Sequence, residues 1–404
     1  MGAFLDKPKT DKTTTSGSLE GDLRYGVAAM QGWRVEMEDA HTSVAGLPDH
    51  EKWSFFGVFD GHAGSKCAGY TSDHILNHLM RNMEREKSEE DASSSIGSGS
   101  IDKVKEAIRQ TFLGLDEEIQ QTPNWSNGKD LSGTTAITCL VTEDHIIFAN
   151  CGDSRGLLCR RGEVVFSTED HKPYLERERE RIEKAGGCVV LQRVNGSLAV
   201  SRALGDIAYK RPQDKPAVEQ IVSPEPDVVE MRREEGDEFV VLACDGIWDV
   251  MDNNAVMEFV RRKLRVCSDL ETIAGHLIDN CFHKGSRDNM SVVIVTFRDA
   301  PTVTEEALKE EEENRKEAEK QIEEKLKELV KTNELEKLDE HYVMSQLCSD
   351  LSEHLNISSR RDFVVELLEK LMASKTTSKV RDNAERSSVA FPEYLDLANA
   401  DKAT

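Results

Sequence analysis

The sequence predicts an α+β layered sandwich of antiparallel sheets with flanking helices, followed by an all-helical appendage. Three observations carry that reading. Short β-branched or aromatic runs of strand length recur through residues 23–297. Four of these runs follow one another within residues 136–167, which leaves no room for crossover helices. Helical periodicity comes in blocks of its own, and a glycine-free, charged stretch follows Ala300-Pro301.

Taken in order, residues 1–21 are rich in Lys, Thr, Ser and Gly and offer little to bury, so they read as a flexible leader. Removal of Met1 exposes Gly2, as N-myristoylation requires, although Asp6 stands where Ser or Thr is preferred; an unmodified tail is the alternative. One acyl chain gives weak, reversible membrane contact unless Lys7, Lys9 and Lys12 add to it. Strands are expected at residues 53–59, 136–141, 146–151, 156–160, 164–167, 239–244 and 291–297. The four within 136–167 turn at Glu143-Asp144, Gly152-Asp153 and Arg161-Gly162, which predicts one antiparallel meander. Helices are expected at 67–84, 101–120, 174–185, 254–266 and 270–283, with a Ser-rich loop at 88–100.

Residues 301–404 carry 25 acidic and 16 basic residues and no glycine. Thr302 with Glu305 three places later reads as a capping box. Ile322, Leu326, Leu329 and Val330 then share one face of a long helix. With amphipathic stretches at 343–354 and 361–372, residues 299–375 read as a helical domain that serves either partner selection or stability, and 376–404 as a disordered tail.

Composition excludes several functions. At 404 residues and 38 % hydrophobic content the chain can build a sizeable core. A net charge of −24 argues against nucleic acid as a partner and favours divalent cations or basic peptides. The longest apolar runs fall short of the roughly 18 residues a membrane span requires. Nine cysteines without a CxxC pair support neither a disulfide framework nor a structural zinc site. A reducing compartment fits best, with cytoplasm, nucleus and the membrane surface all open.

The chemistry concentrates where apolar strands end in an acid beside glycine: Asp60-Gly61-His62, Gly152-Asp153 and Asp245-Gly246. Glu36-x-Glu38-Asp39 and Arg287-Asp288-Asn289 add more acids next to strand-like text. Each Asp-Gly alone is an ordinary turn dipeptide. If these ends converge, five or more carboxylates share a cleft, and such charges need protons or cations to offset them. Oxygen-only ligands select Mg²⁺ or Mn²⁺, and two ions roughly 3.5–4 Å apart would activate a water and polarise a phosphoryl group.

Seven motifs occur in one order: residues 34–41 (RVEMEDAH), 58–64 (VFDGHAG), 132–136 (SGTTA), 150–155 (NCGDSR), 198–206 (LAVSRALGD), 244–249 (CDGIWD) and 288–291 (DNMS). This set closely resembles the metal-dependent type 2C serine/threonine protein phosphatases, over residues 22–298. The opening MGAFLDKP and the helical extension resemble the animal alpha and beta members, which carry N-terminal myristate, and this favours modification of Gly2.

The resemblance implies α-β-β-α layers around a central pair of antiparallel sheets. It implies that Asp60 bridges two Mg²⁺ or Mn²⁺ ions, with the Gly61 carbonyl on one and Asp245 and Asp288 on the other. Glu38 and Asp39 resemble residues that hold coordinated waters, and Asp153 and Asp249 match a weaker third site. Arg34 resembles the phosphate-binding arginine and His62 the general acid. The implied reaction is hydrolysis of phosphoserine and phosphothreonine in proteins by a metal-activated water, without a phosphoenzyme, in a monomer. Residues 170–209 resemble a flap beside the active site. Two rivals remain on the residues alone. Cys281 and Arg287 have the C-x₅-R spacing of thiolate phosphatases, and a catalytically silent phosphoprotein-binding regulator could act through the helical tail.

Overall fold

The computed structural model describes residues 4–21, 23–88, 99–210, 215–332, 338–351 and 357–388. Alternation along strand β15 (Asp237–Ala243) sets its architecture: Val240 and Leu242 pack to one side, and Phe239 and Val241 to the other. Its neighbour β16 (Met290–Phe297) alternates likewise, with Val293 and Val295 inward and Val292 and Ile294 outward. Both faces are covered, so these strands read in the sequence as continuous apolar runs.

Six strands form the first sheet, in the order β1 (Phe4–Leu19), β2 (Leu23–Arg34), β16, β15, β9 (Arg155–Arg160) and β10 (Glu163–Ser167), all antiparallel. Five form the second, in the order β14 (Asp227–Arg232), β8 (His145–Cys151), β7 (Ala136–Val141), β4 (His50–Phe59) and β3 (Ala40–Leu47). The sheets share a core of Phe56, Val58, Ile137, Phe148, Val240 and Leu242. On the outer face of the first sheet, α6 (Asn253–Leu264) and α7 (Leu270–His283) pack Val256, Val260, Ile273 and Leu277 against Phe239 and Val241. On the outer face of the second, α1 (Lys66–Ser88) and α2 (Gly99–Gln121) pack Ile75, Leu79, Ile108 and Phe112 against Phe55 and Phe59. The result is an α-β-β-α sandwich.

Several expectations are corrected. Phe4–Leu19 is no flexible leader but strand β1, paired along β2. Two of its hydroxyls and one lysine find partners on α7: Thr14 and Ser16 donate to the Glu271 carboxylate at 2.6 and 2.5 Å, and Lys12 meets Asp279 at 2.7 Å. The expected meander is divided. The β7–β8 hairpin belongs to the second sheet and the β9–β10 hairpin to the first, and the chain crosses between sheets at Gly152-Asp153-Ser154. Thr304, not Thr302, caps α8 (Glu305–Thr332), its hydroxyl accepting from the Ala307 amide at 3.2 Å. The tail boundary at 376 also fails, because α10 (Arg361–Ser388) continues past it; residues 389–404 lie outside the described residues. Gly2 and most of the expected loop at 88–100 lie outside them too.

Two compact units divide the chain between Glu311 and Glu312. The second has its own core: Ile322, Leu326 and Val330 of α8 pack with Val343 and Leu347 of α9 (Glu340–Asp350) and Val364 and Leu368 of α10.

Inside the first unit, Lys210 and Asp116 form an ion pair at 2.7 Å with both side chains 1 % exposed. Asp116 also accepts from the Gly205 amide at 2.8 Å, which fixes the turn leading to Asp206. Lys210→Met, which leaves that carboxylate buried without its cation, should cost about 3–5 kcal/mol in urea unfolding. A variant as stable as the parent would show that the pair is not what holds the turn.

Candidate active site

Strand ends deliver the acids. Asp60 follows β4 directly, Asp153 lies two residues beyond β8, Asp245 opens the short helix α5 (Asp245–Trp248) after β15, and Asp288 precedes β16. Glu38 and Asp39 occupy the segment between β2 and β3, and Arg34 is the last residue of β2. The carboxyls meet: Asp39, Asp153, Asp245 and Asp288 all act electrostatically on half-buried Asp60. Burial first, and then this mutual repulsion, holds the Asp60 and Asp245 carboxyls well above the usual carboxylate range. Asp249 is raised as well, because burial together with Asp153 and Asp288 outweighs Lys172.

Asp39 is pushed up to about 7, chiefly by burial and against its bond from Ser291 (2.7 Å to Oδ2). Its other oxygen, Oδ1, is buried with no geometric hydrogen-bond partner among the described residues, although the nearby Cys244 thiol favours the ionised carboxyl. Ligand atoms of Asp39, Asp60 and Cys244 lie within 4.8 Å of one another. An orphaned buried carboxylate oxygen among repelling carboxyls is what a hard cation would satisfy, so the acids suit Mg²⁺ or Mn²⁺, while the Cys244 thiol, raised by burial, adds no ligand for a hard ion.

Close backbone approach tightens the cage. A Cβ on Gly61 would sit 2.2 Å from the Glu38 carbonyl oxygen, and one on Gly246 would sit 2.1 Å from that of Asn289. Asn289 joins the pieces. Its amide donates to the carbonyls of Gln31 (2.9 Å) and Glu36 (3.0 Å), and its Oδ1 accepts from the Glu38 amide (2.8 Å). Glu38 in turn accepts from the Gly64 amide at 2.6 Å. Glu36 itself is exposed and stands outside the cage.

Two cations face the acids. Arg34 donates to Asp288 (3.3 Å) and Glu38 (3.2 Å). Burial works against its charge, but these carboxylates raise its pKa. Lys172 donates to Asp153 at 2.5 Å and, despite burial, is raised to about 12 by that partner. Sequence reasoning gave Lys172 no role beyond membership of the expected flap.

His62 belongs to a small sheet in the order β13 (Leu204–Gly205), β6 (Gly133–Thr134), β5 (Gly61–His62). Its Nε2 lies 2.6 Å from Asp206 Oδ2. Burial opposes protonation, yet the Asp206 carboxylate outweighs it and raises the imidazole pKa. Asp206 was visible only as the last letter of LAVSRALGD; its left-handed backbone (φ 50°) is what turns it toward His62. Cys281 lies elsewhere, fully buried in α7, where burial pushes its thiol up. That setting is opposite to a reactive thiolate's.

The family model described as protein phosphatase 2C matches residues 23–290, and one described as the C-terminal domain of protein serine/threonine phosphatase 2C matches residues 291–369. Mouse protein phosphatase 1B is 55 % identical over 325 residues, which cover 80 % of this chain and 83 % of its own. Bovine protein phosphatase 1A is 53 % identical over 329 residues, covering 81 % and 84 %. Among solved structures, a phosphatase from Toxoplasma gondii superposes with a TM-score of 0.58 at 27 % identity, covering 72 % of this chain and 96 % of that one.

The raised carboxyls give a sign to pH dependence. Asp39 takes up a proton on folding, so its contribution to stability is complete below its unfolded value and is lost as pH rises through about 7. The Tm of chelated protein should therefore fall between about pH 5 and 7.5. Mn²⁺ should suppress the fall, and Asp39→Asn should make it shallower, the remainder coming from Asp60 and Asp245. A chelated protein that gains thermal stability over this window would contradict the assignment.

Proposed function

Because this chain belongs to the protein phosphatase 2C family and is a protein serine/threonine phosphatase, we propose that it hydrolyses its phosphoproteins by direct attack of water on phosphorus, without a phosphoenzyme, at a carboxylate cage for two Mg²⁺ or Mn²⁺ ions. The observation that carries this reading is the buried, partnerless Asp39 Oδ1 among acids that repel one another around Asp60. Asp60, the Gly61 carbonyl, Asp245 and Asp288 would hold the pair, Glu38 and Asp39 would hold its waters, and Asp153 and Asp249 offer a weaker third position. When bound, the ions neutralise the cage, polarise the phosphoryl group and lower the pKa of water.

The chain's own groups do the rest. Arg34 presents a planar fork to two phosphate oxygens, a geometry that Lys cannot reproduce. Its present partners, Asp288 and Glu38, keep that fork aimed into the cage. His62 delivers a proton to the departing serine or threonine oxygen, and its hydrogen bond to Asp206 favours the protonated imidazole.

The opening MGAFLDKP supports acylation of Gly2, which would give weak, reversible membrane contact to a protein of the cytoplasm or nucleus. Cys281→Ser should leave turnover nearly intact, since the thiol is buried away from the acids.

Release of phosphate from a phosphothreonine peptide should require Mg²⁺ or Mn²⁺ and stop with excess chelator. Activity that survives chelation would sink the cage. Asp60→Asn should lower kcat by more than about a thousandfold. His62→Gln should lower it about a hundredfold on the peptide and much less on p-nitrophenyl phosphate, whose leaving group needs no acid. Equal losses on both substrates would count against the acid role.

A further inference from the structure

Phe4 opens β1 directly opposite Arg34 in the β1–β2 ladder. Residues paired across a ladder project to the same face, so the Phe4 ring stands beside the arginine assigned to phosphate. It is 47 % exposed, and so is Val35, the next residue after Arg34. The Arg287 guanidinium lies over the Phe4 ring, 5.8 Å from its centroid, and Arg287 immediately precedes Asp288 of the cage. On the other side, Lys9 donates to Gln31 (3.2 Å), whose amide donates to the carbonyls of Arg34 (2.9 Å) and Val35 (2.8 Å). An apolar step with cations at its edges thus adjoins the phosphate position, on a protein whose net charge is −24.

Resting on the phosphatase reading above, we propose that Phe4, Val35 and Arg287 form a specificity subsite that takes an acidic residue of the phosphoprotein beside its phosphorylated Ser or Thr. The cation–π contact with Phe4 favours this placement of the guanidinium, while Arg287 stays exposed and its N–H groups face solvent. A carboxylate on the bound peptide can accept two parallel bonds from that edge, and its methylenes can lie on Phe4 and Val35. The ring contact restricts the side chain before the peptide arrives, which lowers the freedom lost on binding. The contact is solvent-exposed and does not touch the reacting bond, so it should act on KM and weaken with salt. No strand other than β1 supplies the ring, which gives the amino-terminal segment a direct part in substrate choice.

The test uses the full chain with Mn²⁺ and two phosphothreonine peptides identical except for Glu or Gln at the positions flanking the phosphoresidue. The parent should prefer the Glu peptide by about three- to tenfold in kcat/KM at low salt, the difference residing in KM. Arg287→Gln should bring that ratio to about one, and Phe4→Ala should lower it by removing the stack. Hydrolysis of p-nitrophenyl phosphate by each variant shows that it is folded with a working centre. An unchanged preference in Arg287→Gln, or no preference in the parent, overturns the subsite. An equal loss on both peptides also overturns it, because Arg287 would then act through Asp288. Failure of the parent to hydrolyse either peptide would instead defeat the phosphatase reading.

Discussion

Electrostatic repulsion among crowded carboxylates is the constraint on which this molecule turns. Asp39, Asp60, Asp153, Asp245 and Asp288 come from five separate stretches of chain, and each disfavours ionisation of its neighbours. Like charges crowded at partly buried positions must be offset by protons or by bound cations. Arg34 and Lys172 reduce the imbalance at two edges but leave Asp39 Oδ1 unsatisfied. A folded state that tolerates such a centre needs a stiff scaffold, and the two sheets with their three apolar layers provide it.

The scaffold also explains how distant residues are held within ångströms. Crossing from one sheet to the other at Gly152-Asp153-Ser154 puts Asp153 at the rim shared by both. Missing side chains at Gly61 and Gly246 let the loops after β4 and β15 press against the backbones of Glu38 and Asn289. Asn289 satisfies two backbone groups of the segment that carries Glu38 and one of β2, at Gln31, so the β2–β3 connection and the start of β16 behave as one piece.

Much of this was legible in the sequence where local chemistry and local structure coincide. Asp60, Asp153 and Asp245 announce themselves as acids beside glycine at the ends of apolar strands, and both central strands are unmistakable because both of their faces are buried. Strand β1 was not legible, because its outward edge is wet and its stabilising partners, Glu271 and Asp279, lie more than two hundred residues away. Asp206 and Lys172 escaped for a similar reason: what they do depends on His62 and Asp153, and no spacing within a motif encodes those contacts. The division of the expected meander turned on a change of sheet within three residues, which alternation along a single strand cannot signal.

Strand β1 begins opposite Arg34 and ends, at Leu19, against the core between the sheets. Its ladder with β2 therefore joins the packing at the rim of the sandwich to the placement of that arginine, and a change that loosens one end of the ladder would be felt at the other.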